Sequence, residues 1–212
     1  MSCPICQKRP AKRYCPAKGE AICAVCCGTE REVTIDCPSE CPYLLAARRY
    51  EAEHRKPIPP DEIPFPDLTV SPDLVHELRA VVSGLGYAVV KQAAEDRTTT
   101  DADALAALRA LAEAYRALSS GILYEKPPQP GPARELYARL AAFLSEVKKR
   151  QAESAGFPQL KDTEAFHLLV FLLRVGRHHT NGRPRSRAFL EFLRAQYPQA
   201  VAADQAPRII LP

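Results

Sequence analysis

After Cys41 this 212-residue chain contains no cysteine, so any thiolate chemistry is confined to its first fifth. Glycine is scarce: nine residues against twenty prolines, which points to stiff connections rather than loose ones. The longest apolar run is Leu168–Leu173, far short of the roughly 20 residues that span a bilayer, so no membrane segment is expected. The start, Met-Ser-Cys-Pro, lacks the apolar stretch behind a basic end that marks a secretory signal, so an intracellular, cytoplasmic protein is expected. Catalytic signatures are missing too. There is no glycine-rich phosphate loop, no G-x-S-x-G and no H-E-x-x-H, and His76-Glu77 lacks the second histidine. Nothing in the sequence argues for an enzyme. No stretch alternates with period two over six residues, and no segment recurs at a fixed period.

What is present is an ordinary globular composition, 46% hydrophobic and 25% charged. The net charge of +4 is too mild to imply nucleic acid by itself. All eight cysteines stand in the order Cys3-x2-Cys6-x8-Cys15-x7-Cys23-x2-Cys26-Cys27-x9-Cys37-x3-Cys41. A Cys-x2-Cys pair sets two thiolates on one tight turn, near enough to share a tetrahedral metal ion. A reducing compartment favours metal over disulfides, and the spacing lacks the tight triple-cysteine run of common ferredoxins. The larger apolar residues in this stretch are Ile5, Tyr14, Ile22, Val25, Val33 and Ile35, too few to order some forty residues by burial. Structural zinc supplies on the order of 10 kcal/mol or more, and that energy becomes folding energy. The segment is expected to unfold without metal.

The string CPICQKRPAKRYCPAKGEAICAVCCGTEREVTIDCPSEC resembles the cross-braced two-zinc fingers of the MYND, HIT and B-box kind, over about a fifth of the chain. In those families the first and third ligand pairs share one zinc, and the second and fourth share the other. The resemblance makes Cys3 and Cys6 the first pair, Cys15 and position 18 the second, Cys23 and Cys27 the third, and Cys37 and Cys41 the fourth. Two departures stand out: position 18 is Lys18, and the histidine usual near the end is replaced by Cys37. Cys26 is then a spare thiol that restores the count. The resemblance thus implies two all-cysteine Zn2+ sites per chain. One holds Cys3, Cys6, Cys23 and one of Cys26 and Cys27; the other holds Cys15, Cys37, Cys41 and the remaining one. The alternative is one full site and one vestigial site. With every thiolate used, no coordination position stays open for water or substrate, so the sites read as structural. Residues 1–56 carry ten Lys/Arg and seven Asp/Glu, a balance of +3 that two such filled sites would bring to about −1. Lys8, Arg9, Lys12, Arg13 and Lys18 offset thiolate charge or, in the alternative, contact phosphate.

The remainder reads as helices. The fold class expected is a small treble-clef or cross-brace-like zinc finger followed by an all-α bundle. Its divisions are a finger over 1–42, a short basic helix over 43–56, a proline-rich linker over 57–70, a bundle over 71–198 and a tail over 199–212. The linker reads as a spacer. Ser71-Pro72 is a helix start, with Leu74, Val75, Leu78, Val81, Val82, Leu85 and Val89 on one face. Gly84 and Gly86 permit a bend or a close crossing there. Further helices are expected from Asp101, from Pro132, from Thr163 and from about Arg185 to Gln196, the one from Thr163 being the central one.

His167 reads as a satisfied buried histidine, and His178 and His179 as cations favoured at a helix C-terminus. Arg174–Arg194 holds six arginines and one acid, and reads as a polar, basic loop between two apolar helices. Arg174, Arg177, Arg183, Arg185 and Arg187 are the candidate contacts to an anion or a nucleic acid. The alternative for them is a solvated face with ion pairs to acids such as Glu153, Asp162 and Glu164. The functional expectation is an intracellular adaptor whose finger binds another protein, with nucleic-acid binding as the alternative.

Overall fold

The computed structural model describes residues 1–197, so position 198 and the expected tail over 199–212 lie outside the described residues. The chain forms two compact units. Among the described residues the first is Met1–Pro57 together with Asn181–Ser186, and the second holds Ile58–Thr180 and 187–197. The described residues form eight α-helices and one two-stranded sheet, so the chain is mostly helical.

In the first unit, β1 (Arg13–Cys15) pairs antiparallel with β2 (Glu20–Ile22), Tyr14 opposite Ala21, around a turn closed by Gly19 at φ 68°. Helix α1 (Ala24–Glu30) follows, its first turn capped by the Cys23 thiol, which accepts the N–H of Cys26. Helix α2 (Pro42–Glu53) starts on a proline, one residue ahead of the expected Tyr43. The unit buries Ile22, Ile35, Leu44 and cysteines, while Ile5, Tyr14, Val25 and Val33 are exposed. Of the six larger apolar residues in the finger, only Ile22 and Ile35 are therefore buried.

The second unit is a helical bundle. A 3-10 turn over Pro60–Glu62 leads into a segment that packs Phe65, Leu68 and Val70 against the core. Phe65 sits at φ 51° with its ring edge-on to Phe166 at 5.3 Å. The proline-rich stretch is thus a strap across helix α7 (Asp162–His179), the packing form of a spacer. Ser71 caps α3 (Pro72–Glu77), but the single helix expected over this stripe is broken at Leu78, and α4 runs Arg79–Glu95. The break falls before the glycines, which serve close crossings instead. A Cβ on Gly84 would lie 2.1 Å from the Phe143 ring, and one on Gly86 would lie 2.4 Å from the Tyr197 hydroxyl.

Helix α5 (Asp101–Ser119) opens with a Thr100/Asp103 capping box. Helix α6 (Pro132–Ala155) starts on proline and stops at left-handed Gly156. It buries Leu136, Tyr137, Leu140 and Leu144, with Phe143 and Val147 only partly covered. Helix α7 buries Ala165, Phe166, Leu168, Leu169, Val170, Leu172 and Leu173, the nearly all-round apolar pattern expected of a central helix. Helix α8 (Ala188–Gln196) begins three residues later than expected. The buried carboxylate of Asp101 accepts the N–H groups of Phe189 and Leu190 at 3.1–3.2 Å. No helix among the described residues is long and apolar enough to cross a membrane.

Candidate metal centre

Cys3, Cys6, Cys23 and Cys26 come together with all four sulfurs within 4.8 Å of one another. Two hairpin-like knuckles build this group. Cys3 and Cys6 flank one tight turn, in which Gln7 N–H closes onto the Cys3 carbonyl at 2.7 Å. Cys23 and Cys26 flank the start of α1. Backbone amides point at the sulfurs: Cys23 N–H donates to Cys3 Sγ at 3.2 Å, and Cys26 N–H to Cys23 Sγ at 3.3 Å. Cys3, Cys23 and Cys26 are buried and Cys6 is half-buried.

The group fits a tetrahedral divalent metal. A Zn–S bond of about 2.3 Å requires sulfurs about 3.8 Å apart, and Cys6 Sγ lies 3.9 Å from Cys23 Sγ. None of the eight cysteines is in a disulfide. The thiols are also staggered in acidity. Burial opposes ionisation at Cys3, but the backbone N–H groups of Cys23, Cys6 and Ile5 outweigh it and lower its pKa. Backbone donation from Lys8, helped by Arg9, brings Cys6 down to about 6. Burial first, and then hydrogen bonds shared with Cys23, Cys6 and Cys3, push Cys26 up to about 12. A buried cluster of four thiols cannot hold several negative charges unaided, and a divalent cation is the charge that allows all four to ionise. Four protein ligands close a tetrahedral site.

Cys26, not Cys27, completes this set. Cys27 is half-buried, with the Arg31 guanidinium 3.9 Å from its sulfur. The other predicted ligands are Cys15 at the end of β1, Cys37 in the loop after Ile35, and Cys41 at the N-cap of α2. Burial raises the Cys37 pKa; the Glu32 backbone works against this, while negative charge at Cys41, Glu32 and Cys15 adds to it. Cys15 and Cys41 lie near enough to Cys37 to act on its charge, but among the described residues only the first four cysteines form a group of three or more with ligand atoms within 4.8 Å of one another.

The arginines go elsewhere than expected. Arg174 and Arg177 belong to α7 and Arg194 to α8, so only residues 180–187 form the connecting loop. Arg174 donates to the carbonyls of Pro64, Phe65 and Leu68 at 2.6–3.0 Å. Arg177 pairs with Glu62. Arg183 donates to the carbonyls of Gly28 at 3.0 Å and Arg31 at 2.5 Å. Arg187 donates to those of Thr99 and Arg97. Arg185 is exposed. The acids expected to pair with them are instead paired with lysines: Asp162 with Lys148, Glu153 with Lys149 and Glu164 with Lys161.

His167 is half-buried rather than buried, edge-on to Phe166 at 5.9 Å. His179 stacks on Phe192 at 3.6 Å, and His178 is exposed. The sequence reading missed Glu32, which is 1% exposed and left-handed at φ 52°. Its carboxylate accepts from Arg48 and Asn181, both at 2.8 Å. No family model, no curated protein and no solved structure matches this chain.

Proposed function

We propose that this chain is a cytoplasmic adaptor whose N-terminal unit is a structural zinc module that binds another protein. The observation that carries this reading is the closed set of four sulfurs on Cys3, Cys6, Cys23 and Cys26. Such a site leaves no position for water or substrate, so its metal holds the backbone rather than doing chemistry. A second zinc, on Cys15, Cys27, Cys37 and Cys41, completes the cross-brace of the finger families that the cysteine order resembles. Eight free thiols suit a reducing compartment.

Two further observations favour a protein partner. The first unit leaves Tyr14, Val25, Leu45 and Tyr50 exposed, apolar area of the kind that protein interfaces use. Arg174, Arg177, Arg183 and Arg187 are engaged within the chain, which removes most of the basic set that a phosphate backbone would need. The second reading, nucleic-acid binding, rests on exposed Lys8, Arg9, Lys12 and Lys18.

The deciding experiment is elemental analysis of protein purified without added metal, run beside a free-thiol count and a nucleic-acid titration at two salt concentrations. The adaptor reading expects two zinc ions, no reactive thiols and no steeply salt-dependent binding. One zinc with several reactive thiols refutes the two-site model. Tight binding that collapses between the two salts transfers the function to nucleic acid.

A further inference from the structure

The six residues Asn181–Ser186 follow α7 and precede α8, yet they fold as part of the first unit. Their ties to the N-terminal segment run to the stretch from Gly28 to Glu32. Arg183 Nη1 donates to the Gly28 carbonyl at 3.0 Å and the Arg31 carbonyl at 2.5 Å. Asn181 Nδ2 donates to Glu32 Oε2 at 2.8 Å, and the Arg185 amide donates to the Glu32 carbonyl at 2.9 Å. The segment is itself set for this: Arg183 N–H donates to Asn181 Oδ1 at 3.0 Å, and Ser186 N–H to the Arg183 carbonyl at 3.0 Å.

These acceptors are not independent of the metal centre. Gly28 lies in the last turn of α1 and Arg31 caps it, so Arg183 takes up carbonyls that the helix end leaves without an intrahelical partner. A cation is also favoured there by the helix dipole. Helix α1 has seven residues, too short to persist alone. Its N-cap is Cys23 and its one buried side chain is Cys26, both members of the sulfur cluster. The Gly28 and Arg31 carbonyls therefore keep their places only while the cluster holds α1, and Glu32 follows directly on that helix end.

We propose that Asn181–Ser186 is a metal-dependent latch: zinc in the Cys3/Cys6/Cys23/Cys26 site fixes the acceptors that hold it, and zinc loss frees it as an exposed basic segment. This inference rests on the metal reading above. Linkage makes it reciprocal, since whatever metal does to the latch, the latch does to metal affinity. Arg183 is no ligand, yet its removal weakens metal binding.

The test uses the full chain. Hydrogen exchange of the peptide covering residues 180–187 is followed with metal bound, after stripping with a chelator under reducing conditions, and after zinc is restored. Metal per chain is counted in each sample. Exchange of the Arg185 and Ser186 amides is expected to accelerate at least about tenfold on stripping and to recover with zinc. In parallel, Arg183→Ala and Asn181→Ala are expected to bind the same number of zinc ions with affinity lower by about tenfold, each losing hydrogen bonds in which one partner is charged. Unchanged exchange in a sample shown to have lost its metal overturns the latch and leaves the metal site standing. Unchanged zinc affinity in both variants also overturns it. A chain that carries no metal and takes none up overturns both, and the zero count tells the cases apart.

Discussion

Replacing Arg48 by methionine isolates a buried ion pair of the first unit. Arg48 Nη2 meets Glu32 Oε1 at 2.8 Å, with the arginine side chain 16% exposed and the glutamate 2%. Methionine keeps most of the aliphatic stem and removes the charge. Glu32 is then a carboxylate inside the unit, with Asn181 still donating to its other oxygen. Breaking a buried pair from one side costs about 3–5 kcal/mol. The remaining Asn181 bond puts the expected cost near the low end, about 3 kcal/mol. On the proposed zinc reading, metal binding and folding of this unit share one free energy, so the loss is expected to appear as zinc affinity. At about 1.4 kcal/mol per decade it amounts to roughly two orders of magnitude. The assay is a competition titration against a chelator of known affinity at fixed pH. The stronger check is the cycle with Glu32→Gln: removing both charges leaves no uncompensated ion, so the double variant is expected to bind zinc better than Arg48→Met alone. Singles whose losses simply add in the double would refute the claim that the pair acts as a unit. So would an Arg48→Met affinity within about threefold of the parent protein.

Three further outcomes bear on the second unit. Asp101→Ala leaves the Phe189 and Leu190 amides without their carboxylate, and about 3 kcal/mol of stability should be lost in urea unfolding, against about 1–3 kcal/mol per unsatisfied buried group. A loss below about 1 kcal/mol would mean that these amides find other partners. Gly176→Val places its Cβ 2.7 Å from Leu105 and 2.9 Å from Phe189, which is fully buried, so overpacking should cost about 2–3 kcal/mol and lower Tm. An unchanged Tm would show that both neighbours yield freely. The Thr98 hydroxyl and amide hold the Asp96 pKa below the ordinary carboxylate range. A depressed carboxylate pKa contributes stability that is complete above the unfolded value of about 3.9 and is lost as pH falls through the folded one. Thr98→Ala should therefore raise the Asp96 pKa in an NMR titration, and an unmoved pKa would assign the effect to other groups.

Much of the bundle was readable because its signals are local. Ser71-Pro72, Asp101, Pro132 and the residues beside Thr163 mark helix starts through caps and first-turn preferences that act within three or four residues. The Leu78 break carries no such mark: no proline or glycine stands there, and the chain bends at a leucine with φ −97° and ψ 23°. Gly84 and Gly86 drew attention to the right helix, but close approach of Phe143 and Tyr197, not bending, is what they serve. Apolar neighbours on both sides in sequence make His167 look buried, yet on α7 it is only half-buried. At the metal centre, spacing alone left Cys26 and Cys27 equivalent. They differ once α1 is capped by Cys23, because the residue three positions on presents its N–H to the capping sulfur and its own thiol to the same cluster.

The arginines show where charge counting fails. Six arginines against one acid in Arg174–Arg194 read either as a solvated face with ion pairs to acids or as an anion site, and neither reading names backbone carbonyls as the partners. Backbone carbonyls are the larger class of acceptor, and they leave no trace in composition. Two irregular segments, 64–68 and 97–99, and the C-terminal end of α1 each present carbonyls to one arginine. A guanidinium suits this better than an ammonium, because its planar fork reaches two or three carbonyls from one side chain. Of these three places only 64–68 contains proline; the 97–99 turn and the end of α1 contain none, so turns and helix ends of any composition supply such carbonyls. In this chain the arginine surplus therefore first serves helix ends and irregular backbone, and of the five candidates only Arg185 remains exposed to meet a partner.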